Sequence, residues 1–571
     1  MQLAEDCSAA VIARFLRSRA MKRIFALCGG HIMPIWMRVH HEGVQIIDVR
    51  DERAAVHMAQ AHALVTGEVG VALVTAGPGV TNAMTGIANA HASRTPLLIL
   101  SGTPPRPQQG RGALQDLDHL QLLRSITRYA RAVHEPAMVL QELDEAVSRA
   151  RGEGGGEPGP VYLEFPTDTL RAKVPHAVQL PEHLVAKQPK TTHPSPGDVA
   201  EAVELLFSAK RPLIVTGRGA GEAGVEIAEL LDRLGAAYLD SGESRGLIPE
   251  HHPSAVGAMR AIAMAEADLV LTIGRRLDFQ LAYGSPAVFR NATFLRIADT
   301  PSELRDNRRG AVEIYATPKH AVRAIIAAAG NRPAAAEQSW IARLRREHRQ
   351  RTARLKQAMA TAPAGGDGGI HPNRLLGALH EWLDDRAILA IDGGDFLAFA
   401  RVALSAAVVL DPGPLGCIGV GVPYGIAASL ACPDRTVMVA TGDGAFGFNA
   451  IELDTAVRHK APVLIVVANN AAWQIEVHDQ QQSYGEVVGT RLQRADHAAM
   501  ARAFGMHGER VERAEDLAAA LERAFANLPA LLDVVVTAEA ISSDGKSGLA
   551  WVPDLQALAA WDEAERQWRE A

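Results

Sequence analysis

Residues 442–473 read GDGAFGFNAIELDTAVRHKAPVLIVVANNAAW, and this stretch predicts a strand, helix, strand unit of a parallel sheet. The apolar run RTVMVA at 435–440 leads into the Gly-Asp-Gly turn, and a second run, PVLIVVA at 462–468, ends in the Asn pair 469–470. The carboxyl ends of parallel strands meet at one edge of a sheet, where open α/β folds bind their ligands. We therefore expect an α/β fold in which Asp443 and the Asn pair lie together at that edge.

The residue types in this turn and this Asn pair suit a divalent cation bound to a diphosphate. Mg²⁺ prefers hard oxygen ligands and completes its coordination with phosphate, and Asp443 and the amide of Asn470 supply two such oxygens. Gly442 and Gly444 allow a tight turn and let an anion approach the free N–H groups of a helix start. The alternative is an ordinary crossover whose Asp and Asn side chains only make turns, but an Asn pair after an apolar strand favours the cation site.

A second motif lies far upstream, where residues 49–90 read VRDERAAVHMAQAHALVTGEVGVALVTAGPGVTNAMTGIANA. Together with the 24 residues between GDG and NN, it resembles the thiamine diphosphate family of decarboxylases, lyases and acetolactate synthases. The resemblance implies that Glu52 activates the cofactor through its aminopyrimidine ring, and that Pro78 and Asn82 lie beneath that ring. Without the resemblance, a glutamate at a strand-to-helix junction is most often a solvated residue at a helix start.

Length and element pattern predict several domains. At 571 residues the chain is too long for one hydrophobic core, and the resemblance implies three doubly wound parallel-sheet domains. Polar, small-residue connections at 188–196 and 361–371 divide the strand and helix signals, and no internal repeat is visible, although domains one and three could share a fold. The predicted units are an N-terminal pyrimidine-binding domain at 1–185, a middle domain at 195–340, a diphosphate- and Mg²⁺-binding domain at 365–540 and a C-terminal tail or lid at 541–571.

Composition and charge exclude several classes of protein. Apolar residues make up 48% and charged residues 22%, which is typical of a globular protein, and a net charge of −7 without a basic block gives no reason to expect nucleic acid. The four cysteines form no C-x-x-C pair, which argues against a disulfide framework and a zinc site. No uncharged apolar run reaches the ~18 residues that span a bilayer. We predict a cytoplasmic protein without a membrane or nucleic-acid partner.

Further site residues follow from the same resemblance. Gly30 and His31, in CGGHIMPIW, match the segment that lines the reacting face, and Gln115, in GALQDLD, matches a glutamine of acetolactate synthase-like active sites. Ile418, in LGCIGVGVP, matches a bulky apolar wedge that bends the cofactor, with plain core packing as the alternative. The family's site forms between chains, which implies a homodimer or homotetramer. The remaining expected contacts are Asp395, Gly416, Ala445 and Trp473 for the cofactor and Ala472 for the metal.

Three reactions are compatible with these motifs. GGHI, IIDVRDE, LVTAGPGVTNA and VVGTRL are similar to benzaldehyde lyase, whereas GGxIMPI and GALQD are similar to acetolactate synthase, whose further substrate residues we cannot match. We predict the third, a 2-hydroxyacyl-CoA lyase that cleaves its acyl-CoA substrate to an aldehyde or ketone plus formyl-CoA, because the site lacks an obvious cationic clamp for a free carboxylate. The Gly-rich, Trp-containing tail would suit either a lid over an extended thioester or a docked terminal helix.

The middle domain contains a weaker nucleotide signal. GRGAG follows an apolar strand, and IGRRLD and a strand ending in an aspartate come later, an arrangement that suits an adenine nucleotide. This pattern predicts ADP or CoA in the middle domain, with an inert remnant as the equal alternative and FAD as the ligand that would favour a synthase. The predicted contacts are Gly217, Arg218, Gly219, Arg275, Arg276 and Asp299.

His31 is the first candidate for proton transfer because a histidine titrates near neutral pH. Gln115, Glu476 and His478 are further candidates, although His478 could be a surface residue of the segment EVHDQQQSYG. After VVGTRL the benzaldehyde lyase-like pattern carries a glutamate, where this chain has Gln493. We hypothesise that the side chain at position 493 contacts the reaction path. Gln493, which has the size of a glutamate without its charge, is then either a natural variation or a replacement that slows turnover.

Overall fold

The computed structural model describes residues 4–153, 155–174 and 191–542, and beyond these only 545, 546, 563, 566, 567 and 570. The described chain forms three parallel β-sheets connected by helices, which confirms the predicted α/β class. Most of the predicted tail at 541–571 lies outside the described residues. In the described ranges, no helix combines the length and the apolar character that crossing a membrane requires.

The first sheet forms from continuous apolar runs of strand length, which are typical of parallel strands covered on both faces. Its strands are β1 Arg23–Ala26, β2 Gln45–Asp48, β3 Gly70–Val74, β4 Leu97–Thr103, β5 Tyr129–Ala132 and β6 Pro160–Pro166. In space they follow the order β2-β1-β3-β4-β6-β5. The helices of this domain are α1 Ser8–Ser18, α2 Met33–His41, α3 Glu52–Thr66, α4 Pro78–Ala92, α5 His119–Leu123, α6 Val139–Ala150 and α7 Thr167–Arg171.

The middle sheet has five parallel strands. They are β7 Pro212–Thr216, β8 Ala237–Leu239, β9 Leu269–Ile273, β10 Thr293–Ala298 and β11 Val312–Tyr315. Their spatial order is β11-β10-β9-β7-β8. The helices of this region are α8 Pro196–Ser208, α9 Gly224–Leu234, α10 Arg260–Glu266, α11 Pro301–Leu304, α12 Pro318–Ala329 and the long α13 Gln338–Thr361.

The third sheet again has six parallel strands. They are β12 Ile388–Asp392, β13 Val408–Leu410, β14 Val437–Gly442, β15 Leu464–Asn469, β16 His507–Val511 and β17 Ala530–Val535. They lie in the order β13-β12-β14-β15-β17-β16. The helices are α14 Pro372–His380, α15 Asp395–Ala403, α16 Gly421–Ala431, α17 Asp443–Phe446, α18 Leu453–Arg458, α19 Gln474–Ser483, α20 His497–Ala503 and α21 Leu517–Phe525.

The first and third sheets share one topology. In both, the first strand of the sheet lies between the second and the third, and the last two strands exchange places. When its strand order is read in reverse, from β8 to β11, the middle sheet shows the same order for its first four strands, with β7 between β8 and β9. From the boundary between the first and third strands, the chain continues toward opposite edges of the sheet. This boundary is the topological switch point, and a crevice opens there at the carboxyl ends of the strands. Each sheet therefore provides one such crevice.

The strands that flank the Gly-Asp-Gly turn begin about two residues later than the sequence predicts. The strand predicted at 435–440 is observed at Val437–Gly442, and the strand predicted at 462–468 is observed at Leu464–Asn469. Pairing explains the shift, because β14 starts opposite Ile388 of β12 at Val437 and continues until Gly442 lies opposite Ala468 of β15. Gly442, the first residue of the turn, and Asn469, the first of the Asn pair, therefore belong to the sheet as well.

The first and third domains share part of one hydrophobic core. Helix α3, rich in alanine, packs along α16, and a single cluster of buried residues contains members of both domains. Each large aliphatic side chain buried there contributes about 1.5–3 kcal/mol relative to an exposed one. Inside this contact the Asn89 amide donates to the Tyr424 hydroxyl at 3.1 Å. The two domains of one chain are thus held in a defined relation.

Candidate active site

The crevice of the third sheet brings the Gly-Asp-Gly turn and the Asn pair together, as the sequence predicts. Asp443 begins α17 directly after β14 and is only 6% exposed. Its carboxylate accepts backbone hydrogen bonds from Gly444, Ala471 and Ala472, which follow β14 and β15. Ala471 adopts a positive φ of 58°, a turn conformation that brings the backbone back toward Asp443. The loop therefore surrounds one buried carboxylate.

The two asparagines of the pair have different environments. Asn469 is fully buried and its amide nitrogen donates to Asp533 at 2.9 Å and to the carbonyl of Ala495 at 3.0 Å. Asn470 lies one residue further and is only half-buried. Within the described part of the chain the Oδ1 atoms of both asparagines lack a hydrogen-bond partner, so the difference lies in the amide nitrogen of Asn469, which is committed to the fold. Asn470, at the margin of the sheet, is therefore the better placed of the two to offer its oxygen to a ligand.

The oxygens at this edge fit Mg²⁺. Burial raises the pKa of Asp443 to about 6, although the backbone N–H groups act in the opposite direction. A nearby cation would offset the desolvation of this carboxylate. Among the described residues no group of three His, Cys, Asp or Glu side chains could hold a metal, so a cation here would use Asp443, the amide of Asn470 and the carbonyl of Ala472. Such a set leaves coordination positions for phosphate and water.

The glycines of the turn allow a close approach between loops. A Cβ on Gly444 would lie 2.6 Å from the Trp473 ring, so only glycine fits at this position. Ala445 is buried in α17 beside it, and a Cβ on Gly442 would lie 3.9 Å from the Phe396 Cβ, an ordinary contact distance. The predicted cofactor residues of this loop therefore form one compact surface.

A buried aspartate fixes the loop that presents Ile418. Asp392, at the end of β12, accepts the N–H of Gly393 at 2.7 Å, of Gly419 at 3.2 and 3.0 Å and of Gly421 at 2.7 Å. Burial raises the pKa of Asp392 to about 6, against the effect of these donors. The Asn449 amide holds the opposite side of Gly419 by donating to its carbonyl at 2.6 Å.

Ile418 itself is only half-buried, so it is not an ordinary core residue, and the nearby Gly416 is exposed with a φ of 66°. The sequence analysis missed Asp392 and Asn449. The signal for Asp392 was an acidic residue that ends the apolar run AILAID at 387–392, whereas Asn449 had no distinctive signal.

Glu52 lies at the first position of α3, and the helix begins there as the sequence predicts. The Asp51 side chain caps the helix by accepting the N–H of Arg53 at 2.8 Å. Glu52 is 5% exposed, and its Oε2 accepts the amide N–H of Asn82 at 3.0 Å. A Cβ on Gly79 would lie 3.2 Å from Glu52 Oε1, so the AGPG loop passes close to this carboxylate. Pro78 and Asn82 are exposed in the single chain.

His31 and Gln115 meet at the switch point of the first sheet. His31 follows β1 and lies against the backbone of Gly102 at the end of β4, where a Cβ would be 2.8 Å from the His31 Cβ. Burial lowers the pKa of His31, a hydrogen bond with Gln115 opposes this shift, and the neighbouring His119 adds to it. His31 is therefore a neutral imidazole at pH 7. Its Nδ1 is buried and has no hydrogen-bond partner among the described residues.

A fully buried histidine that the sequence analysis missed holds the glycine that lies beside Gln115. Gln115 has a φ of 62°, and a Cβ on Gly77 would lie 2.9 Å from the Gln115 Cβ. The N–H of Gly77 donates to His119 Nε2 at 2.9 Å, while His119 Nδ1 lies 2.9 Å from Glu164 Oε2. Because Nε2 accepts, Nδ1 carries the proton and donates it to Glu164. His119 follows GALQDLD, so the motif pointed to its neighbourhood without identifying it.

His478 and Asp395 lie together where the third domain ends. The side chain of His478 is 12% exposed, so it is not a surface residue; its Nε2 lies 3.2 Å from Gln474 Nε2 and 4.0 Å from Asp395 Oδ2. Asp395 begins α15 and accepts the N–H of Ser542 at 3.2 Å. The chain that leaves the third sheet therefore passes over the start of α15. Glu476, on the same helix as His478, is exposed.

Gln493 lies just beyond a short strand pairing with the cofactor loop. Trp473 donates its N–H to the carbonyl of Thr490 at 2.8 Å, and Leu492 donates to Ala471 at 2.7 Å. Gln493 follows Leu492 and is exposed in the single chain. Its position beside the loop is compatible with the predicted contact with the reaction path.

The glycine-rich loop of the middle domain is closed by its own backbone. Gly217 donates its N–H to Ile273 at 3.0 Å, and Gly219 donates to Gly274 at 3.2 Å. A Cβ on Gly217 would lie 2.4 Å from the Gly274 carbonyl oxygen. The glycines therefore allow two loops to pack together, and their N–H groups are already paired rather than directed at a phosphate.

Two of the predicted arginines are paired with carboxylates. Arg275 donates to Asp278 at 2.9 and 2.8 Å, and Arg276 donates to Glu157 of the first domain at 2.9 Å. Arg218 lies 3.9 Å from Glu303.

The side chains of Arg218 and Asp299 form fewer hydrogen bonds within the described chain than those of Arg275 and Arg276. Within the described chain, Arg218 keeps a buried guanidinium nitrogen without a hydrogen bond, and the Oδ1 of Asp299, after β10, is also unpaired. Arg275 and Arg276 each keep a buried Nε without a hydrogen bond too, but their terminal nitrogens are already bonded to carboxylates.

Comparison with known proteins gives a consistent family. Three family models match: the thiamine pyrophosphate enzyme N-terminal TPP binding domain at residues 8–122, the central domain at 199–325 and the C-terminal TPP binding domain at 396–534. These three matches cover most of the chain, and each contains one of the three sheets or most of it.

Curated relatives match over nearly the whole chain. Acetolactate synthase large subunit IlvG of Mycobacterium tuberculosis is 33% identical over 558 residues, covering 95% of this chain and 97% of that protein. 2-hydroxyacyl-CoA lyase 2 of Homo sapiens is 32% identical over 544 residues, covering 87% and 84%, and the lyase of the same name from Caenorhabditis elegans is 31% identical over 552 residues, covering 88% and 84%. The two kinds of relative carry names for different reactions.

Proposed function

Because this chain belongs to the thiamine pyrophosphate enzyme family, we propose that it is a thiamine diphosphate-dependent lyase that cleaves a 2-hydroxyacyl-CoA. The products are an aldehyde or ketone and formyl-CoA. The observation that carries this choice is the environment of His31. Apart from burial, which is the main cause, the side chains that shift the pKa of His31 are Gln115 and His119, and neither is an arginine or a lysine. A neutral thioester suits such a surface, whereas the carboxylate of a 2-oxo acid calls for a cation.

Thiamine diphosphate, when bound, supplies the reactive carbon and the electron sink for the broken bond. Residues of the third and the first domain would hold it from two sides. Asp443, Asn470 and the carbonyl of Ala472 would hold Mg²⁺ and the diphosphate, and Ile418 would pack against the cofactor. Glu52 holds a proton at the pyrimidine ring, and its burial beside Asn82 fixes the direction of that hydrogen bond.

Neutral His31 acts on the substrate hydroxyl. It accepts the proton from the oxygen on C2, the bond between C1 and C2 breaks, and the C2 fragment leaves as an aldehyde or ketone. A proton returned to C1 completes formyl-CoA, so the reaction is balanced without an external oxidant or reductant. Gln115 orients the His31 ring through their hydrogen bond. His478, Glu476 and Gln493 are the further candidates for contact with the substrate.

The adenine end of the CoA, or a bound ADP, contacts the middle domain at Arg218 and Asp299 in this proposal. Their unpaired polar atoms support it. The paired backbone of the glycine loop argues for a side-chain contact with phosphate rather than a backbone cradle.

The active form is a homodimer or homotetramer with sites between subunits, as the family resemblance implies. Support comes from exposed apolar side chains beside the candidate site, which a second copy would cover. They include Leu114, Leu117 and Leu415. A cytoplasmic location agrees with four free cysteines.

An acetolactate synthase-like or benzaldehyde lyase-like carboligase is the alternative. The extensive match to the mycobacterial synthase subunit favours it, and such an enzyme would act on 2-oxo acids or acyloins. The two functions differ in substrate, not in cofactor.

A direct assay separates them. Purified protein with thiamine diphosphate and Mg²⁺ is given either a 2-hydroxyacyl-CoA or pyruvate, and the products are identified by mass spectrometry. We expect formyl-CoA from the thioester and no acetolactate from pyruvate. Acetolactate formation without formyl-CoA would replace the lyase by the synthase. The Glu52→Gln variant is the control that any product depends on the bound cofactor.

A further inference from the structure

A fully buried carboxylate of the third domain holds the loop that presents Glu52. Glu452 ends the short 3₁₀ turn Ala450–Glu452, just before α18, and is 0% exposed. Its two carboxylate oxygens accept the backbone N–H of Arg50 at 3.0 and 3.3 Å, and the carboxylate also accepts the N–H of Asp51. Arg50 and Asp51 are the two residues that directly precede Glu52.

Glu452 is itself held in one orientation. The hydroxyl of Thr455, one turn along the chain, donates to Glu452 Oε2. Burial raises the pKa of Glu452 to about 7, and the hydrogen bonds from Thr455 and the Arg50 backbone oppose that shift. A buried carboxylate without such donors would be strongly unfavourable. The contact across the domain boundary is therefore constrained on both sides.

The same segment also borders the cofactor loop. We call residues 443–452, from the predicted metal ligand Asp443 to Glu452, the linking segment. Within it, Asn449 donates to Gly419, next to Ile418, and the carbonyl of Phe448 accepts a hydrogen bond from Arg53 at 3.4 Å. Successive backbone turns connect its residues, with Gly447 bonded to Asp443 and Glu452 bonded to Asn449. One ten-residue segment of the chain thus touches both its cofactor loop and the loop that presents its Glu52.

We propose that Glu452 is a positioning residue that sets the location of the Glu52 carboxylate through the backbone of Arg50 and Asp51. The inference rests on the proposed role of Glu52 in cofactor activation. Charge-assisted hydrogen bonds to two consecutive N–H groups fix the loop before α3, and the Asp51 cap fixes the first turn after it. A misplacement of about 1 Å at a catalytic group costs about 10²-fold in rate. Glu452 contributes to activation without contacting the cofactor.

The test compares Glu452→Gln with Asp454→Asn. The Glu452→Gln change is isosteric but removes the charge, whereas Asp454 accepts the Arg50 guanidinium at 3.2 Å and does not contact the backbone before Glu52. In the cofactor-free protein above pH 7, where the Glu452 carboxylate is mostly ionised, hydrogen exchange of the amides at 50 and 51 should rise about 10-fold in Glu452→Gln and stay unchanged in Asp454→Asn, because a charge-assisted hydrogen bond is about twice as strong as a neutral one. In the cofactor-loaded protein, proton exchange at C2 of thiamine diphosphate should slow about 10-fold in Glu452→Gln, with the cofactor Kd unchanged, as expected for a displacement of less than about 1 Å.

Two further variants extend this test. Glu452→Gln combined with Glu52→Gln should exchange C2 no more slowly than Glu52→Gln alone, because Glu452 acts through Glu52. Thr455→Val removes only the hydroxyl that holds Glu452 and should change the amide exchange in the same direction by less; it serves if Glu452→Gln fails to fold.

Unchanged amide and C2 exchange in Glu452→Gln, or a further slowing in the double variant, would overturn the proposal. The readouts also distinguish the two hypotheses. Normal C2 exchange without formyl-CoA contradicts only the substrate of the proposed function, whereas the amide exchange needs neither cofactor nor substrate.

Discussion

The first and third sheets have the same strand order but carry different chemistry at the same place. At the switch point of the third sheet the loops present two oxygen donors, the buried carboxylate of Asp443 and the amide oxygen of Asn470. At the switch point of the first sheet they present His31 beside Gln115. The shared topology determines where a ligand can bind, and the loop residues determine what it is used for. In the proposed function, the crevice of the third sheet would anchor the diphosphate and its metal, and that of the first sheet would transfer protons.

The middle sheet shows what the same crevice looks like when the protein closes it. Its loops after β7 and β9 pair with each other through Gly217 and Gly219, and Arg275 is committed to Asp278. The unpaired atoms that remain belong to side chains at its margin. The contrast among three crevices of like topology leads to tests that should affect one of them at a time.

The largest effect on turnover should come from Glu52→Gln, which changes the first domain alone. The variant keeps the size of the side chain and its contact with Asn82 but loses the proton-exchanging carboxyl group. We expect kcat to fall about 10²–10⁴-fold, the usual contribution of a general acid or base. Cofactor and Mg²⁺ affinity, measured by titration calorimetry, should change little because the anchoring oxygens are in the third domain.

The matched control is Glu68→Gln. Glu68 follows α3, is largely exposed and lies 3.4 Å from His62. Its replacement should leave both kcat and cofactor affinity as they are. A Glu52→Gln enzyme with normal kcat would remove the division between an anchoring and an activating sheet.

A smaller but more specific effect should separate Asn470→Ala from Asn469→Ala. Asn470→Ala removes a free oxygen, so Mg²⁺-dependent cofactor affinity should fall at least about 10-fold while the melting temperature without cofactor stays constant. Asn469→Ala leaves Asp533 without one of its donors and should destabilise the protein by about 1–3 kcal/mol. Calorimetry and thermal unfolding measure the two effects. Equal loss of affinity in both variants would contradict the separate roles.

Much of this comparison could be predicted from the sequence. Period and apolar runs located α3 with its start at Glu52, and they located the strands around the Gly-Asp-Gly turn to within about two residues. Local chemistry is enough for these features, because turn glycines, caps and buried strands depend on neighbours in sequence. The sequence allowed the first and third domains to share a fold, but only the observed strand order shows that their sheets have the same topology.

Long-range partners were beyond the reach of the sequence. Glu452 is separated from Arg50 by 402 positions, and Asp392 contacts Gly419 and Gly421 through a loop that no local pattern indicates. The Gly-rich loop of the middle domain shows the opposite case. Its pattern suggested a phosphate cradle, but the tertiary contact between Gly217 and Ile273 uses its donors. A motif gives the conformation a loop can adopt, and packing decides what it binds.

The pH dependence of turnover should report on His31 in the first crevice. Because burial lowers the pKa of His31 from its ordinary value of 6.5, the neutral base persists at neutral pH, and kcat/KM should fall only as the pH drops below 6.5. The Gln115 hydrogen bond raises that pKa, so Gln115→Leu should move the acid limb to lower pH while reducing the rate on the plateau. A pH–rate profile of both enzymes measures the shift. Movement of the acid limb to higher pH would contradict the assignment of His31 as the base.

The smallest effect on turnover should come from the closed crevice of the middle domain. Gly274 has a φ of 54°, and a Cβ there would lie 2.4 Å from the Gly219 Cα, so Gly274→Ala strains the backbone and separates the two loops. We expect a loss of about 1–3 kcal/mol in stability, the usual cost of overpacking, seen as a lower melting temperature. The kcat for a small acyloin substrate should not change, because both reacting crevices are in other domains. If KM for an acyl-CoA rises while kcat for the acyloin stays constant, the middle crevice contacts the nucleotide end of the substrate; if neither changes, its closed loops serve the fold alone.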